Sequence, residues 1–315
     1  MKSKRFFSLA MVLSVVAALA SAAELQSATV DAWQQYVRDA DVRLQARLDS
    51  EKRFLWVDEA ADRQLRIRRG EVVVAPLVGH GTQSVPNGLI HDWIGAVFIP
   101  NATLGSLLAV LRDYDRYKDV YKPAVTDSKC LEINAADQDF SMTWQRHVLF
   151  VNAAMQTQYR AHEVSIDSRR GYGVADATRI QQIEDYGRPS EHLLPADTGS
   201  GFIWRIRSIS RYLERDGGVY LEIEAIALTR DIPSSLRWMV SPVVNHLSIN
   251  SLTTTLSQTR EAVGSQRVTL AMNSSLPRKS ARSGARFCTI RQHGLFTGII
   301  DAVYAGGSTR FHGPS

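Results

Sequence analysis

Two alternating segments flank the dipeptide Asp216-Gly217 within residues 201–229, GFIWRIRSISRYLERDGGVYLEIEAIALT. Asp-Gly favours the two-residue type I′ turn, whose twist matches that of two paired antiparallel strands. Because side chains alternate between the two faces of a strand, such pairing fixes which side chains share a surface. This hairpin constrains the fold more than any other segment of the chain.

The register of the hairpin follows from its charges. Pairing Arg215 with Gly218 sets Arg211 directly opposite Glu222 and gathers the charged side chains on one face. Opposite charges at facing positions stabilise a strand pair by a few tenths of a kcal/mol up to about 1 kcal/mol. The alternative register, one residue away, mixes charged with apolar side chains, because such a slip turns one strand over. The first register is therefore predicted.

The two faces of the predicted hairpin differ in composition. One face holds the charged side chains, namely Arg205, Arg207, Arg211, Tyr220, Glu222 and Glu224. The other, predicted to face the interior, holds Trp204, Ile206, Ser208, Ser210, Tyr212, Val219, Leu221, Ile223, Ala225 and Ala227. The rim of this inner face is bulky and its middle is small. Small residues there either meet a closely packed helix or leave room for a small molecule.

Hydrophobic spacing predicts an α+β order of elements. A helix over 28–52 is followed by a short strand at 72–75 and a loop at 79–88. After residue 88 the pattern is one strand, two helices, six strands and one long helix, with antiparallel strands and helices grouped apart. The predicted strands are 89–99, 125–133, 139–151, 153–166, 171–184, 201–214 and 219–229. The predicted helices are 104–114, capped by Thr103, then 115–122, and 234–263 with a kink at Pro242.

Three segments carry a resemblance to a known superfamily: HDWIGAVFIP (91–100), GFIWRIRSISRYLERDGGVYLEIEAIALTRDIP (201–233) and SLTTTLSQTR (251–260). With the order of elements, they resemble the START-like, or SRPBCC, superfamily, and in particular its uncharacterised exported bacterial members. The resemblance implies the helix-grip fold, a curved antiparallel β-sheet wrapped around a long C-terminal helix, here with an N-terminal helical extension. It also implies a hydrophobic tunnel between sheet and helix that binds lipids, quinones, sterols or polyketides.

The first 22 residues have the pattern of a signal peptide. A basic start is followed by an apolar run over 6–20 and by the small residues Ala20-Ser21-Ala22. Cleavage after Ala22 predicts a periplasmic or secreted protein, and a retained N-terminal anchor is the alternative. The predicted organisation is a signal peptide at 1–22, a helical extension and linker at 23–88, a START-like domain at 89–264 and a tail at 265–315.

The net charge of +5 lies at the two ends of the chain, so residues 23–264 are slightly acidic. An acidic middle argues against a nucleic-acid partner, which would require a basic face. The basic tail after residue 264 is predicted to be disordered, with weak contact to an anionic membrane surface as the alternative. The two cysteines, Cys130 and Cys288, can form a disulfide in an oxidising compartment or can both stay free thiols.

Motifs for metal, phosphate and nucleophilic chemistry are missing from the sequence. The eight histidines form no HxH or HxxxH pair, and neither a GxSxG elbow nor a phosphate loop is present. We therefore expect no metal and no cofactor. Acid–base chemistry has one weak catalytic candidate, Tyr212, because alternation puts it on the inner face. Weaker candidates are His91, Tyr159, His162, Asp176 and Arg179, and for each the plainer explanation is a packed or outward polar residue. His246 is interpreted as a core histidine facing the sheet.

The sequence thus predicts an exported binding or transfer protein for a hydrophobic small molecule, and a non-enzymatic role is favoured. Apolar surface would supply the affinity and a few hydroxyls would orient one polar group. The predicted ligand contacts are Trp204, Ile206, Ser208, Ser210, Tyr212, Leu221, Ile223, Ala225 and Ala227. Two alternatives stay open: a cyclase- or hydrolase-like enzyme that uses acid–base residues in the same pocket, and an interaction protein with a filled core.

Overall fold

A computed structural model describes residues 23–50, 53–133, 137–148, 151–232 and 234–275. The described chain contains five α-helices and two 3₁₀ turns. The helices are α1 (Ser27–Leu48), α2 (Ala61–Arg68), α3 (Leu104–Leu111), α4 (Tyr117–Val120) and α5 (Ser234–Ser275), and the 3₁₀ turns are Trp56–Glu59 and Tyr114–Arg116. The α3 helix begins at the predicted cap, where Thr103 and Ser106 form a reciprocal capping box.

Twelve strands are present in the described residues, and ten of them form one antiparallel sheet. Its order is β2-β4-β12-β11-β8-β7-β6-β5, with β3 also paired to β4 and β9 to β8. A separate two-stranded pair joins β1 to β10. The strands are β1 (Ala23–Glu24), β2 (Val73–Pro76), β3 (Thr82–Val85), β4 (Gly88–Pro100), β5 (Val125–Ile133), β6 (Asp137–Val148), β7 (Val151–Ser165), β8 (Arg170–Glu184), β9 (His192–Leu193), β10 (Thr198–Gly199), β11 (Arg205–Arg215) and β12 (Gly218–Arg230).

The predicted register of the β11–β12 hairpin is confirmed. Arg215 pairs with Gly218, and Arg211 lies opposite Glu222. The tight turn has positive φ at Asp216 (56°) and at Gly217 (74°), as a type I′ turn requires. The α+β helix-grip class is likewise confirmed, because one large antiparallel sheet holds the long C-terminal helix on one face.

One face of the sheet, here called the α5 face, packs against α5. The helix lies mainly on β4, where Leu252 and Leu256 sit directly over Gly95. These two leucines and Val263 join Val97 and Leu221 of the sheet in one buried apolar cluster. Because Gly95 has no side chain, the backbone of β4 can approach the helix closely.

The other face, here called the α1 face, is covered by the N-terminal extension. Trp33 and Leu44 of α1 pack with Ile209 and Ile226 of the hairpin. The segment 54–57 packs beside them on the even-numbered side chains of β4. The charged face of the hairpin is therefore largely buried as well.

Two predictions for the N-terminal part of the chain change. The region 79–88, expected to be a loop, contains strand β3, because it pairs with β4 as an edge strand. The predicted linker thus belongs to the sheet. The polar composition of GHGTQSVPNG gives no strand signal, because this strand is stabilised by backbone hydrogen bonds to the apolar strand β4.

At the other end, α5 continues to Ser275, beyond its predicted end near Val263. The first part of the tail is therefore helical. The signal-peptide prediction for 1–22, the remaining tail after residue 275 and Cys288 all lie outside the described residues. Cys130 lies on β5, with its partly buried side chain against the aromatic residues Phe140 and Tyr159.

The contact between Gly95 and α5 gives a prediction. A Cβ atom at Gly95 would lie 2.7 Å from Leu256 Cδ1 and 2.9 Å from Leu252 Cγ. Gly95→Ala should therefore destabilise the protein by about 1–3 kcal/mol through overpacking. Gly264→Ala is the matched control, because nothing lies within 4 Å of its Cβ position. It should instead stabilise α5 by about 0.5–1 kcal/mol. Urea unfolding of both variants checks this, and equal effects would refute the contact.

Candidate ligand groove and the sealed face behind it

A row of small side chains crosses the α5 face of the sheet. Ala161 on β7 pairs with Ala175 on β8, which pairs with Ser208 on β11, which in turn pairs with Ala225 on β12. All four residues are only partly buried. The row ends at the buried Trp93, the partner of Ala225 on β4. Four adjacent strands thus present a shallow floor with little side-chain volume above it.

An aromatic stack borders this floor on one side. The rings of Tyr114 and Phe140 lie 4.2 Å apart and those of Phe140 and Tyr159 lie 4.9 Å apart, both nearly parallel. Ile206 and Ala161 pack against this stack. The stack is a flat, rigid apolar wall next to the row of small residues.

The α5 helix borders the floor on the other side. In its middle and last turns Leu252, Leu256 and Val263 are buried. In its earlier turns Leu247 and Ile249 are only partly buried, although both are large and apolar. Around Leu247 and Ile249 the helix therefore leaves apolar surface partly uncovered, as the facing sheet does. Together the floor, the aromatic stack and this part of α5 form what we call the groove.

Polar groups lie at one end of the groove. Arg112 donates to Glu163, with 3.0 Å between Nε and Oε2. The hydroxyl of Tyr114 donates to Gln138 at 2.5 Å, and that of Tyr212 to the Tyr172 carbonyl at 3.4 Å. Burial, then the nearby Glu163 carboxylate, raises the pKa of Tyr212. Tyr212 therefore keeps its proton at neutral pH and can donate or accept a hydrogen bond.

A second polar group lies at the β3 end of the same face. His91 Nε2 lies 3.0 Å from the Thr229 hydroxyl, and its Nδ1 lies 3.3 Å from that of Thr82. Burial lowers the pKa of His91 to about 4, so its ring is neutral at physiological pH. Thr82 also reaches Asn245 on α5, at 3.5 Å. This end of the face is polar and uncharged.

Most of the predicted contact residues lie together on the α5 face. Ser210, Ile223 and Ala227 are partly accessible, as are Ile206, Ser208 and Ala225. Tyr212 and Leu221 share the face but are packed in the core, exposed by only 2% and 0%. Ligand binding by these residues remains a prediction.

Trp204 lies elsewhere, which corrects its predicted placement. It packs with Trp33 of α1 and with Ile209 and Leu228 on the α1 face. The alternation of the strand was extended to residue 204, but β11 begins only at Arg205. Outside the ladder, strand alternation no longer fixes the direction of a side chain.

The weaker acid–base candidates do not form one site. Tyr159 belongs to the aromatic stack, and His162 is exposed beside Asp137. Asp176 pairs with Arg207 at 2.7 Å, and Arg179 is exposed. His246 is also exposed, 2.9 Å from Asn250, so its interpretation as a core histidine is wrong. Within the described residues, no group of three or more His, Cys, Asp or Glu side chains could hold a metal ion.

Behind the groove, the α1 face carries a charge cluster whose acids and Arg211 are buried, while Arg43 at its edge is partly exposed. Arg211 is 0% exposed, and its Nε lies 3.4 Å from Glu222 while its Nη1 lies 3.6 Å from Glu224. Arg43 of α1 reaches in and lies 2.9 Å from Asp92 and 3.2 Å from Glu224. A buried ion pair is kept only where desolvation is offset by several such partners.

The 3₁₀ turn Trp56–Glu59 contributes backbone donors to this cluster. The backbone N–H groups of Trp56 and Val57 donate to the two oxygens of Glu222, at 2.9 and 2.8 Å. Burial is the dominant influence on Glu222, and it raises the pKa of that carboxyl despite these donors and Arg211. The hairpin register predicts the pairing of Arg211 with Glu222, but it does not predict that α1 and segment 54–57 contribute further partners to the cluster. No local pattern identifies partners so distant along the chain.

Two polar surface clefts lie away from the groove. One, of about 420 Å³, lies beside the start of α1 and is lined by Ala23, Glu24, Leu25, Gln26, Thr29, Asn87, Trp204, Arg230 and Asp231. The other, of about 390 Å³, lies near β9 and is lined by Thr126, Asp127, Thr143, Gln156, Ile183, Tyr186, Glu191, His192 and Leu193. Both are open to solvent and largely polar, which is a poor environment for a hydrophobic molecule. In the described part of the chain, no helix combines the length and apolarity of a membrane span.

Comparison with known proteins finds similarity in structure only. No family model matches the chain, and no curated protein matches it significantly. Among solved structures, a STAR-related lipid transfer protein fragment from Xanthomonas axonopodis is 16% identical, covering 61% of this chain and 98% of that one (TM-score 0.38). The Zhui aromatase/cyclase from Streptomyces sp. R1128 is 16% identical, with coverages of 55% and 96% (0.36). Human STARD10 is 8% identical, with coverages of 68% and 84% (0.38). These structures assign no function to the chain or to its individual residues.

The buried cluster gives a prediction about stability. Arg211→Met removes a guanidinium that faces Glu222 and Glu224, so both buried carboxylates lose compensation and stability should fall by about 3–5 kcal/mol. Adding Glu222→Gln should restore part of the loss, because it removes one of the uncompensated charges. Arg160→Ala, which breaks an exposed pair with Asp139, should leave the melting temperature unchanged. Thermal unfolding of these variants is the measurement, and an unaffected Arg211→Met variant would show that the cluster is not stabilising.

Proposed function

We propose that this protein is an exported binding or transfer protein that holds a hydrophobic or amphipathic small molecule in the groove. One observation carries the proposal. The row of small residues from Ala161 to Ala225 and the part of α5 around Leu247 and Ile249 keep apolar surface accessible. On the opposite face of the sheet, the charged residues are covered by α1 and segment 54–57. A protein of this size packs its interior densely, so uncovered apolar surface on facing elements is typical of a binding site.

The groove suits a ligand with a flat apolar body and one polar end. The stacked rings of Tyr114, Phe140 and Tyr159 would contact the apolar body, and burial of apolar area supplies about 25 cal/mol per Å². The hydroxyls of Ser208 and Ser210 would orient one polar group. Lipids, quinones, sterols and polyketides have this chemistry.

Export belongs to the same proposal. The basic start, the apolar run and Ala20-Ser21-Ala22 support cleavage before Ala23 and a periplasmic or secreted location. A soluble carrier outside the cytoplasm would need to load at a membrane. The basic residues after position 264 would supply weak attraction to anionic lipid there.

The test is native mass spectrometry of the protein exported and purified without detergent, followed by organic extraction. An extra mass that extracts as a hydrophobic compound is the expected result, and a clean unliganded mass with no thermal stabilisation by added lipids would favour the filled-core interaction protein. Conversion of the bound compound on standing would instead indicate the enzyme alternative.

Ser208→Trp should abolish this binding, because an indole on the floor fills the groove between the aromatic stack and α5. Gln158→Trp is the matched control, since Gln158 is exposed on a neighbouring strand. Retained mass of the bound compound in the control and its loss in Ser208→Trp, with both variants folded by circular dichroism, is the expected pattern. Undiminished binding by Ser208→Trp would remove the groove as the site.

A further inference from the structure

The cluster between α1 and the sheet is short of positive charge. Within ion-pair distance, three carboxyl groups, those of Asp92, Glu222 and Glu224, share two guanidinium groups, those of Arg43 and Arg211. Arg47 and Arg63 act on Glu222 from beyond that distance. All three acids are at most 3% exposed. Full ionisation would therefore leave one uncompensated negative charge beneath α1, at a depth where an unpaired charge is strongly unfavourable.

The geometry indicates which acid carries the compensating proton. A single atom, Arg43 Nη2, contacts both Asp92 Oδ2 at 2.9 Å and Glu224 Oε1 at 3.2 Å, so the two carboxyls lie side by side. Glu222 is separately held by two backbone N–H groups. Asp92 Oδ1 is buried with no hydrogen-bond partner, a position that suits a neutral acid better than a carboxylate.

We propose that one proton held by Asp92 controls the docking of α1 on the sheet, so that α1 is held more weakly as the medium becomes less acidic. This inference is independent of the ligand groove, which lies on the opposite face. The groups that face Asp92 are Tyr36 and Arg43 of α1, Glu224 of β12 and Arg211 of β11. Burial, then the charge of Glu224, raises the pKa of Asp92 to about 7.

The sign of the effect follows from this pKa. With α1 released, Asp92 meets water and its pKa returns toward its ordinary value near 4. Between about pH 4 and pH 7 the docked state holds a proton that the released state has lost, so docking weakens as the pH rises. Above about pH 7 the dependence levels off. Tyr36, whose hydroxyl lies 2.7 Å from Asp92 Oδ2, and Arg43 are the α1 side chains that respond directly.

Release of α1 would uncover a sheet surface that is partly apolar and partly charged. The apolar contacts of Trp33, Ala40 and Leu44 with the sheet would open, and so would the ion pair of Asp41 with Arg207. Arg211 and the neighbouring acids would become accessible from the side that α1 covered. The N-terminal helix would thus act as a proton-dependent cover on the face away from the groove.

Hydrogen–deuterium exchange of the full protein, read by mass spectrometry from pH 5 to pH 8 and corrected for intrinsic exchange, tests the proposal. Peptides from Ser27–Leu48 should lose protection by up to tenfold per pH unit until about pH 7. Peptides from β7 and β8, outside this interface, should keep the same protection over this pH range. Asp92→Asn keeps an acceptor for Tyr36 and should make the α1 profile flat. Asp31→Asn, at an exposed acid of α1, should keep the wild-type profile.

Three results would overturn the proposal: a flat wild-type α1 profile, an unchanged slope in Asp92→Asn, or equal loss of protection throughout the sheet. If Asp92→Asn does not fold, Glu224→Gln replaces it. Without the charge of Glu224, the loss of protection should move to lower pH, and an unmoved profile would also contradict the proposal.

Discussion

The burial of Arg211 between Glu222 and Glu224 is the constraint on which the rest of the structure depends. These residues lie in the centre of the sheet, where a guanidinium exposed by 0% must be surrounded by partners. Its partners are the carboxylates of Glu222 and Glu224, and these in turn are contacted by Arg43 of α1 and by backbone N–H groups of segment 54–57. The N-terminal extension is therefore part of the domain, since without it the charged face of the sheet would be left without its cover.

The α1 face of the sheet is covered by the N-terminal extension, whereas the α5 face is covered only in part. The α5 helix is held on β4 by Leu252 and Leu256 over Gly95, at one side of the sheet. Ala175 and Ser208, on β8 and β11, stay partly accessible. The domain is stabilised by two apolar clusters on the α1 face and one around α5, so a loosely filled groove is tolerated. The proposed ligand groove and the buried charge cluster thus lie on opposite faces of the sheet.

The polar groups along the groove are mostly neutral or paired at physiological pH. Tyr212 stays protonated, His91 stays unprotonated, and Arg112 is paired with Glu163. These states suit hydrogen bonding to one end of a neutral or amphipathic molecule better than proton abstraction from it. The Asp92 carboxyl, whose pKa burial raises, is on the other face, beneath α1. Its proposed response to pH is therefore separate from the groove.

The sequence by itself determined the local features that short-range physics fixes. The Asp216-Gly217 turn and the period of two set the β11–β12 register, the capping box set the start of α3, and apolar spacing identified α1. From that register the small residues Ser208 and Ala225 could be placed on one face. Only the tertiary structure decided what covers each face, because that depends on contacts between residues far apart in the chain. Three features have no local signal in the sequence, because each is set by a residue or strand that only folding brings near. They are the pairing of Asp92 with Arg43, the pairing of β3 with β4, and the position of the Trp204 side chain on the α1 face.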